Sequence, residues 1–498
     1  MGFAPAMATA PRFDNSYARL PDAFHDRVRP TPVARPEAIM LNRALAEELG
    51  LDPDWLAGDD GLAMLSGNAL PPGADPIAMG YAGHQFGQWV PRLGDGRAIL
   101  IGEVIDRGGE RRDIQLKGAG PTPYSRRGDG RSSIGPVVRE YLGSEFMHAL
   151  GIPTTRALAA VSTGEQVLRQ KIEPGGILCR VARSHVRVGT FEFYARSGRD
   201  QRVRQLADYV IERHYPDCCY ADQPYGALLA AVVERQARLV ADWLLVGFIH
   251  GVMNTDNCSV IGETIDYGPF GFIDTFHPGT VYSSIDHGGR YAYNQQPAIA
   301  HWNLARLAEC LLGLLAGNRA EAVEQANDLL GEFPRHFEAH FHRGLAAKIG
   351  LSPSEEHARL GLDLMDAMAA GEADMTLVFR GLGELPAASP DRDGPVRALF
   401  ADPAAFDAWA ERWRARLVAE ACPDGERQAA MQAVNPAFIL RNHLAQWAVD
   451  AAIERIDFAP MKTLHKVLSR PFEDQPENAE LAQPPQPEQR VLTTFCGT

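Results

Sequence analysis

The segment His250–Gly268, HGVMNTDNCSVIGETIDYG, gathers an amide and two carboxylates at spacings that could do chemistry on a phosphate. Asn257 stands seven residues after His250, and Asp266 follows nine residues later with an aromatic, Tyr267, and then Gly268 behind it. Asp256, directly before Asn257, is a carboxylate able to accept a proton. Val252, two residues after His250, can neither accept a proton nor orient a hydroxyl.

This order resembles the catalytic and metal-binding end of a protein kinase, H-R-D-x-x-x-x-N followed by D-F-G, where the Asn and the second Asp hold magnesium against nucleotide phosphates. In that register Asn257 and Asp266 are the metal ligands, and Val252 takes the place of the catalytic Asp. The metal pair is kept, the usual base is missing, and Asp256 is the carboxylate that could replace it.

Such a site needs a scaffold that brings a cation to the phosphates. From Tyr81 the chain reads as strands: QWVPRL, RAILIGEVI and RRDIQLKG, separated by GDGR and DRGGER, predict three antiparallel strands joined by glycine-containing turns. Gly94 and Gly96 flank Asp95 in the first turn, where the lack of a Cβ would let backbone amides approach a phosphate or base. The third strand carries Lys117. The loop GAGPTPYSRRGDGRSSIG then leads into PVVREYLGSEFMHALG, whose apolar spacing and closing Gly predict a helix. Glu140 on that helix, 23 residues after Lys117, is spaced as the partner that holds a strand lysine against phosphates. Further strands are expected at about RALAAVS, QVLRQ and GILCRVA, followed by HVRVGTFEFYARSG. Arg180 and Arg187 lie here, and if they converge on Lys117 their guanidinium forks would complete a polyanion pocket.

Around this core the chain divides into a Pro- and Ala-rich extension over 1–80 with an amphipathic helical stretch near Ala38–Leu51, a sheet-and-helix lobe over 81–195, and a helical lobe over 196–318. The second lobe has a long helix from Gly226 to His250 that delivers the chain into the key segment, and another helix starting near Ile299. Residues 319–471 read as amphipathic helices, and 472–498 as a Pro/Gln/Glu-rich tail extended over the surface. The fold class expected is α+β: a protein-kinase-like, two-lobed fold with an N-terminal extension and an added helical C-terminal region. His336 and His340 share a helix face, but the segment is not H-E-x-x-H and has no third ligand at a recognisable spacing, so no zinc site is expected.

Composition narrows the class of function. The 498 residues carry a formal net charge of -14, which argues against a general nucleic-acid binder. Five lysines stand against 44 arginines, so each Lys is mildly informative. No apolar run approaches the ~18 residues of a membrane span, and the N-terminus lacks the pattern of a secretory signal. Seven cysteines without a C-x-x-C pair fit a reducing cytoplasm, and Cys496 near the end is the candidate reactive thiol.

Several long runs coincide: FDNSYARLP, YAGHQFGQWVPRLGDGRA, QLKGAGPTPYSRRGDGR, NTDNCSVIGETIDYGPFGFID and GRYAYNQQP. Together they resemble the selenoprotein O family of pseudokinases, from about residue 13 to the C-terminus. The resemblance implies a protein nucleotidyltransferase that moves AMP from ATP, or UMP from UTP, onto Ser, Thr or Tyr hydroxyls of other proteins with Mg2+ or Mn2+. It implies nucleotide contacts at Gly94, Gly96, Arg97, Lys117, Asp129, Gly130, Arg180, Arg187 and Asp266, Asp256 as proton acceptor, and Asn257 with Asp266 as metal ligands. Many family members carry selenocysteine where this chain has Cys496, and some pair that position with an activation-segment Cys; residues Phe270–Tyr291 contain none.

If Lys117, Arg180 and Arg187 line the deep end of the cleft, terminal phosphates suit it better than adenine, and the nucleotide would lie inverted relative to a kinase. The α-phosphate would then face the acceptor hydroxyl, with pyrophosphate leaving. Two other readings remain at this point: a γ-phosphoryl kinase using Asp256 as a displaced base, and a nucleotide-binding scaffold without catalysis.

Overall fold

A continuous apolar run in AILIGEVI, buried on both faces, and alternating apolar residues in RRDIQLK build the two strands on which the sheet is centred, Ala98–Ile105 and Arg111–Lys117. Their register places Ala98 opposite Lys117 and Leu100 opposite Gln115, with an irregularity between Leu100 and Gly102. The computed structural model describes residues 10–196 and 200–495. In it the strand Ile172–Ala182 pairs with Arg111–Lys117 so that Arg180 faces Gln115. Beyond it lies Arg156–Leu168, the RALAAVS and QVLRQ segments merged into one strand.

The sheet is antiparallel throughout its main path, and its two edges come from the N-terminal region. His25–Arg27 pairs with Ile77–Met79 at one edge, and Glu37–Leu41 pairs with Arg156–Leu168 at the other. The amphipathic helix expected over Ala38–Leu51 is therefore shorter: its first residues are strand, and the helix is Arg43–Glu48, opened by Asn42, whose side chain accepts from Leu45 N. QWVPRL also departs from expectation. Only Gln88–Val90 is strand, and it forms a separate hairpin with Gly83–Gln85 rather than joining the sheet.

Period-2 side chains give the sheet two apolar faces. Ile99, Ile114, Leu116, Cys179 and Val181 pack against Leu45, Leu56 and Met64 from the short N-terminal helices. Ala160 and Leu178 face the helix Ile134–Ala149, where Ile134, Val137 and Val138 are buried, and Leu100 belongs to the same core. That helix carries Glu140, so the same packing that buries its apolar stripe aims the carboxylate at Lys117.

The remainder is helical. HVRVGTFEFYARSG runs into the helix Val188–Ala195, and the long helix expected from Gly226 to His250 is Pro224–Leu245. Between Leu245 and the next long helix, Gln296–Leu315, a two-stranded clip pairs Phe248 with Phe272 and Ile249 with Gly271. The clip closes residues 250–270 into a loop anchored in an aromatic cluster of Phe248, Tyr267, Phe270 and Phe272. Helices from Arg319–Lys348 to Ala459–Leu468 complete the C-terminal region. The final segment lies along the loop, with Thr494 Oγ1 donating to Pro269 O at 2.7 Å. Cys496 falls outside the described residues. Among those described, no helix is long and apolar enough to cross a membrane.

Candidate active site

The strand pair, the Glu140 helix and the 250–270 loop meet around a cavity of about 590 Å³, within the size range of small-molecule sites. Gly94, Gly96, Arg97, Lys117, Asp129, Gly130, Glu140, Arg180, Asp256, Asn257 and Asp266 all line it. Arg187 does not; it lies behind Asp266, fully buried.

At the deep end three cations surround one carboxylate. Lys117 Nζ donates to Glu140 Oε2 at 2.5 Å and to Asp266 Oδ1 at 3.1 Å. Arg180 Nη1 reaches Glu140 Oε1 at 3.1 Å and Asp266 Oδ1 at 2.5 Å. Arg187 Nη1 reaches Asp266 Oδ2 at 2.8 Å. Burial alone would raise the Asp266 carboxyl, but the charges of Arg180, Lys117 and Arg187 outweigh it and hold the group well below the usual carboxylate range. Three fixed cations thus converge on one point at the deep end, an arrangement of guanidinium and ammonium donors that suits an incoming polyanion. Asp266 has a left-handed backbone, φ 63°, a conformation costly for a non-glycine residue and found preferentially at functional sites.

Neighbouring polar groups fix these cations. Gln115 Oε1 accepts from Arg180 Nε at 3.1 Å and from Nη2 at 2.5 Å, a direct result of their cross-strand register. Arg187 donates to the backbone oxygens of Asp256 and His185 and stacks 4.4 Å from the centre of the Tyr81 ring. Arg183 and His185, which lie between the two site arginines, turn elsewhere: Arg183 toward Glu110, His185 onto Asp113 at 2.9 Å.

The loop supplies the remaining groups. Asp256 is buried, its Oδ2 accepts from Gln85 Nε2 at 3.2 Å, and its Oδ1 has no hydrogen-bond partner among the described residues. Burial pushes its pKa up to about 6 against the opposing effects of Gln85 and Arg187. An unpartnered carboxylate oxygen with a raised pKa is suited to taking a proton near neutral pH. Asn257 donates its amide N–H to Val252 O at 2.9 Å, leaving the amide oxygen as its free acceptor. Behind Asp256, Thr255 Oγ1 donates to Glu192 Oε2 at 2.5 Å and accepts from His84 N at 2.7 Å, while His84 Nδ1 lies 2.6 Å from Glu192 Oε1.

The Gly-Asp-Gly turn is anchored by its central residue. Asp95 N donates to Met79 O, and Met79 N donates to Asp95 Oδ2 at 3.1 Å. Gly94 has φ 83°, and a Cβ there would fall 2.3 Å from the Tyr124 ring. The close approach at this turn is therefore made by the loop that follows Lys117, which folds over it. Asp129, on the same loop, is held by Arg169 at 2.9 and 3.1 Å, a pairing that lowers its pKa first of all.

Asp95, Gln115, Gln85, Tyr81 and the His84–Glu192–Thr255 network were not singled out from the sequence. Gln115 carried one usable signal: in a strand it shares a face with Lys117 two residues on. His340 Nε2 lies 2.7 Å from Asp242 Oδ1, and no group of three or more His, Cys, Asp or Glu able to hold a metal occurs among the described residues.

Comparison with known proteins gives a concordant picture. The family model described as "Protein adenylyltransferase SelO" matches residues 8–469. A protein of Alkalilimnicola ehrlichii is 62% identical over 487 residues, covering 98% of each chain. Proteins of Rhodopseudomonas palustris strain BisB5 and of Bradyrhizobium diazoefficiens are 61% and 60% identical, each covering 98% of this chain and 99% of the relative. All three relatives bear the name "Protein nucleotidyltransferase YdiU".

Proposed function

The chain belongs to the SelO family of protein adenylyltransferases and is a protein nucleotidyltransferase; from that premise we propose how its own residues carry out the transfer. The architecture is read as a kinase-like pair of lobes with the nucleotide inverted between them. The observation that carries this reading is the convergence of Lys117, Arg180 and Arg187 on Asp266 at the deep end of the cavity. Terminal phosphates belong at that end, because their oxygens can accept from the ammonium and guanidinium donors gathered there and an apolar base cannot. The α-phosphate then lies toward Asp256.

Lys117 and Arg180 bind the β- and γ-phosphates as Glu140 holds them in place, and Arg187 braces Asp266 and the Asp256 backbone from behind. Asp256 Oδ1 takes the proton of an acceptor Ser, Thr or Tyr hydroxyl as that oxygen attacks the α-phosphorus, and pyrophosphate leaves toward the cations. Asn257 and Asp266 present only oxygen donors, a set that suits Mg2+ or Mn2+. A divalent ion held there would offset phosphate charge. Arg97, Asp129 and Gly130 lie along the nucleotide's outer half, Asp129 acting through its pairing with Arg169. Seven cysteines without a C-x-x-C pair support a reducing cytoplasm as the compartment in which the enzyme acts on proteins.

The test is incubation with Mg2+ or Mn2+ and ATP labelled at either the α- or the γ-phosphate, followed by counting label on protein. Label from the α-position alone, absent with Asp256→Ala and Asp266→Ala, is the expected result. Label from the γ-position alone would replace this reading with phosphoryl transfer. α-Labelled UTP in parallel distinguishes UMP from AMP as the transferred group.

A further inference from the structure

Asp256 lines the nucleotide cavity on one side and accepts from Gln85, which does not line it, on the other. Gln85 belongs to the hairpin Gly83–Gln85 and Gln88–Val90 that stands apart from the main sheet. On this outer side the hairpin, the helix Gln296–Leu315, the end of the helix Val188–Ala195 and the loop at Arg290 together form a row of arginines and aromatic rings. Arg196, an exposed residue, places its guanidinium 4.2 Å from the centre of the Trp89 ring. The His84 ring follows at 5.1 Å from Trp89 and 5.3 Å from Trp302. Trp302 in turn receives Arg290 and Arg306, each at 4.9 Å. Arg290 also sits beneath the hairpin tip, where a Cβ on Gly87 would lie 3.5 Å from its Cζ.

The charges facing this row are unbalanced. Arg196, Arg290 and Arg306 are opposed at the surface by Glu309, which pairs with Arg306 at 2.8 Å. Glu192 lies underneath, buried and engaged with His84 and Thr255. In a chain of net charge -14, a local cationic excess beside the proton acceptor is a specific feature rather than background. Partly exposed Trp and Arg are also the residue types that dominate binding energy when a partner covers them. A guanidinium stacked on an indole is already ordered and keeps its N–H edge free for a carboxylate.

We propose that this Arg–Trp row docks the acceptor protein, and that it takes an acidic segment flanking the hydroxyl to be modified. The proposal rests on the transferase reading above and adds the partner's chemistry to it. An acidic stretch laid across Arg196, Trp89, Trp302 and Arg290 would pass beside Gln85 and present a neighbouring hydroxyl to Asp256 from the side the nucleotide leaves open.

The experiment uses the full chain and two short fluorescein-labelled peptides, each with one Tyr, flanked in one by Asp and Glu and in the other by Lys. Binding is read by anisotropy at low and moderate salt, and transfer by label from α-labelled ATP. The acidic peptide is expected to bind at least about tenfold more tightly, with a preference that weakens as salt rises. Arg196→Glu combined with Arg290→Glu should cancel the preference while ATP affinity stays unchanged. Arg196→Glu alone, at the exposed end of the row, should reduce it without disturbing the inner stack. Equal binding of the two peptides, or a preference that survives the charge reversals, overturns the proposal. Transfer to both peptides with equal KM overturns the docking surface and leaves the transferase standing. Acidic-peptide binding with no transfer to either peptide, while label from α-labelled ATP still reaches other protein, overturns the acceptor role of the row and leaves the transferase standing.

Discussion

Arg187 Nη1 stands 2.8 Å from Asp266 Oδ2, and the same nitrogen holds the backbone oxygen of Asp256 at 2.8 Å. One buried guanidinium therefore sets the distance between the proposed proton acceptor and the carboxylate at the phosphate end. The spacing of these two aspartates is a property of the protein before any nucleotide arrives, the kind of preorganisation that transition-state stabilisation exploits.

Asp266→Ala tests the charge balance. It leaves Lys117, Arg180 and Arg187 without their shared anion, so the unliganded protein should lose roughly 3 kcal/mol of stability. Pyrophosphate should raise the Tm of the variant more than that of the parent, because it restores the missing charge. The Asp266 pKa is depressed in the fold, so its contribution is fully present above the ordinary carboxylate range and is lost as pH falls below it. The stability gap between parent and variant should accordingly narrow in strong acid. An equal pyrophosphate shift in both proteins would count against the cluster as a phosphate site.

The pH profile tests Asp256. Its pKa of about 6 predicts that kcat/KM rises with pH through that value and is level above it, since only the carboxylate accepts a proton. Raising a carboxyl pKa on folding means that the fold prefers the neutral form, so the stability penalty appears as pH climbs from about 4 through 6. Asp256→Asn should therefore abolish transfer yet stabilise the protein at pH 8, by up to about 3 kcal/mol. At pH 4 the two proteins should melt together. A variant less stable than the parent at pH 8 would show that Asp256 is not a strained, buried charge.

Gly83→Ala separates the base from the nucleotide. A Cβ at Gly83 would fall 2.5 Å from Asp256 Oδ1 and 3.0 Å from its Cβ. The loop must shift, while Lys117, Arg180 and Asp266 keep their places. Steady-state kinetics should show kcat reduced about tenfold to a hundredfold, as expected for a displaced reacting group, with ATP affinity within about twofold. A change confined to ATP binding would assign Gly83 to the nucleotide instead.

These positions differ in how far the sequence could reveal them. The pairing of Lys117 with Glu140, and the placing of Asn257 and Asp266 in one cavity with them, were legible from residue type and spacing along the chain. Gln85 reaches Asp256 across 171 residues and Glu192 reaches Thr255 across 63, relationships set only when the hairpin and the helix Val188–Ala195 pack on the loop. The sheet edges were hidden for a different reason. His25–Arg27 and Glu37–Leu41 are three and five residues long with mostly exposed side chains, so they lack the alternation that marks a half-buried strand. QWVPRL misled in the opposite way: its residues favour strand, but Pro91 leaves room only for the short hairpin.

Lys348 offers a test far from the active site. It ends the helix Arg319–Lys348, is buried, and has its ammonium 4.5 Å from the centre of the Phe379 ring. Burial pushes its pKa down to about 7. The fold thus disfavours the charged form: the penalty is complete at and below pH 7, and it fades as pH rises toward the ordinary lysine value. Lys348→Met keeps the length of the side chain and removes the charge. It should stabilise the protein by up to about 4 kcal/mol at pH 6.5 and by much less at pH 10, measured by urea unfolding. Transfer activity should be unchanged, since no site residue contacts this position. A variant destabilised at both pH values would mean that the ammonium has a polar role in the helical region that outweighs its desolvation.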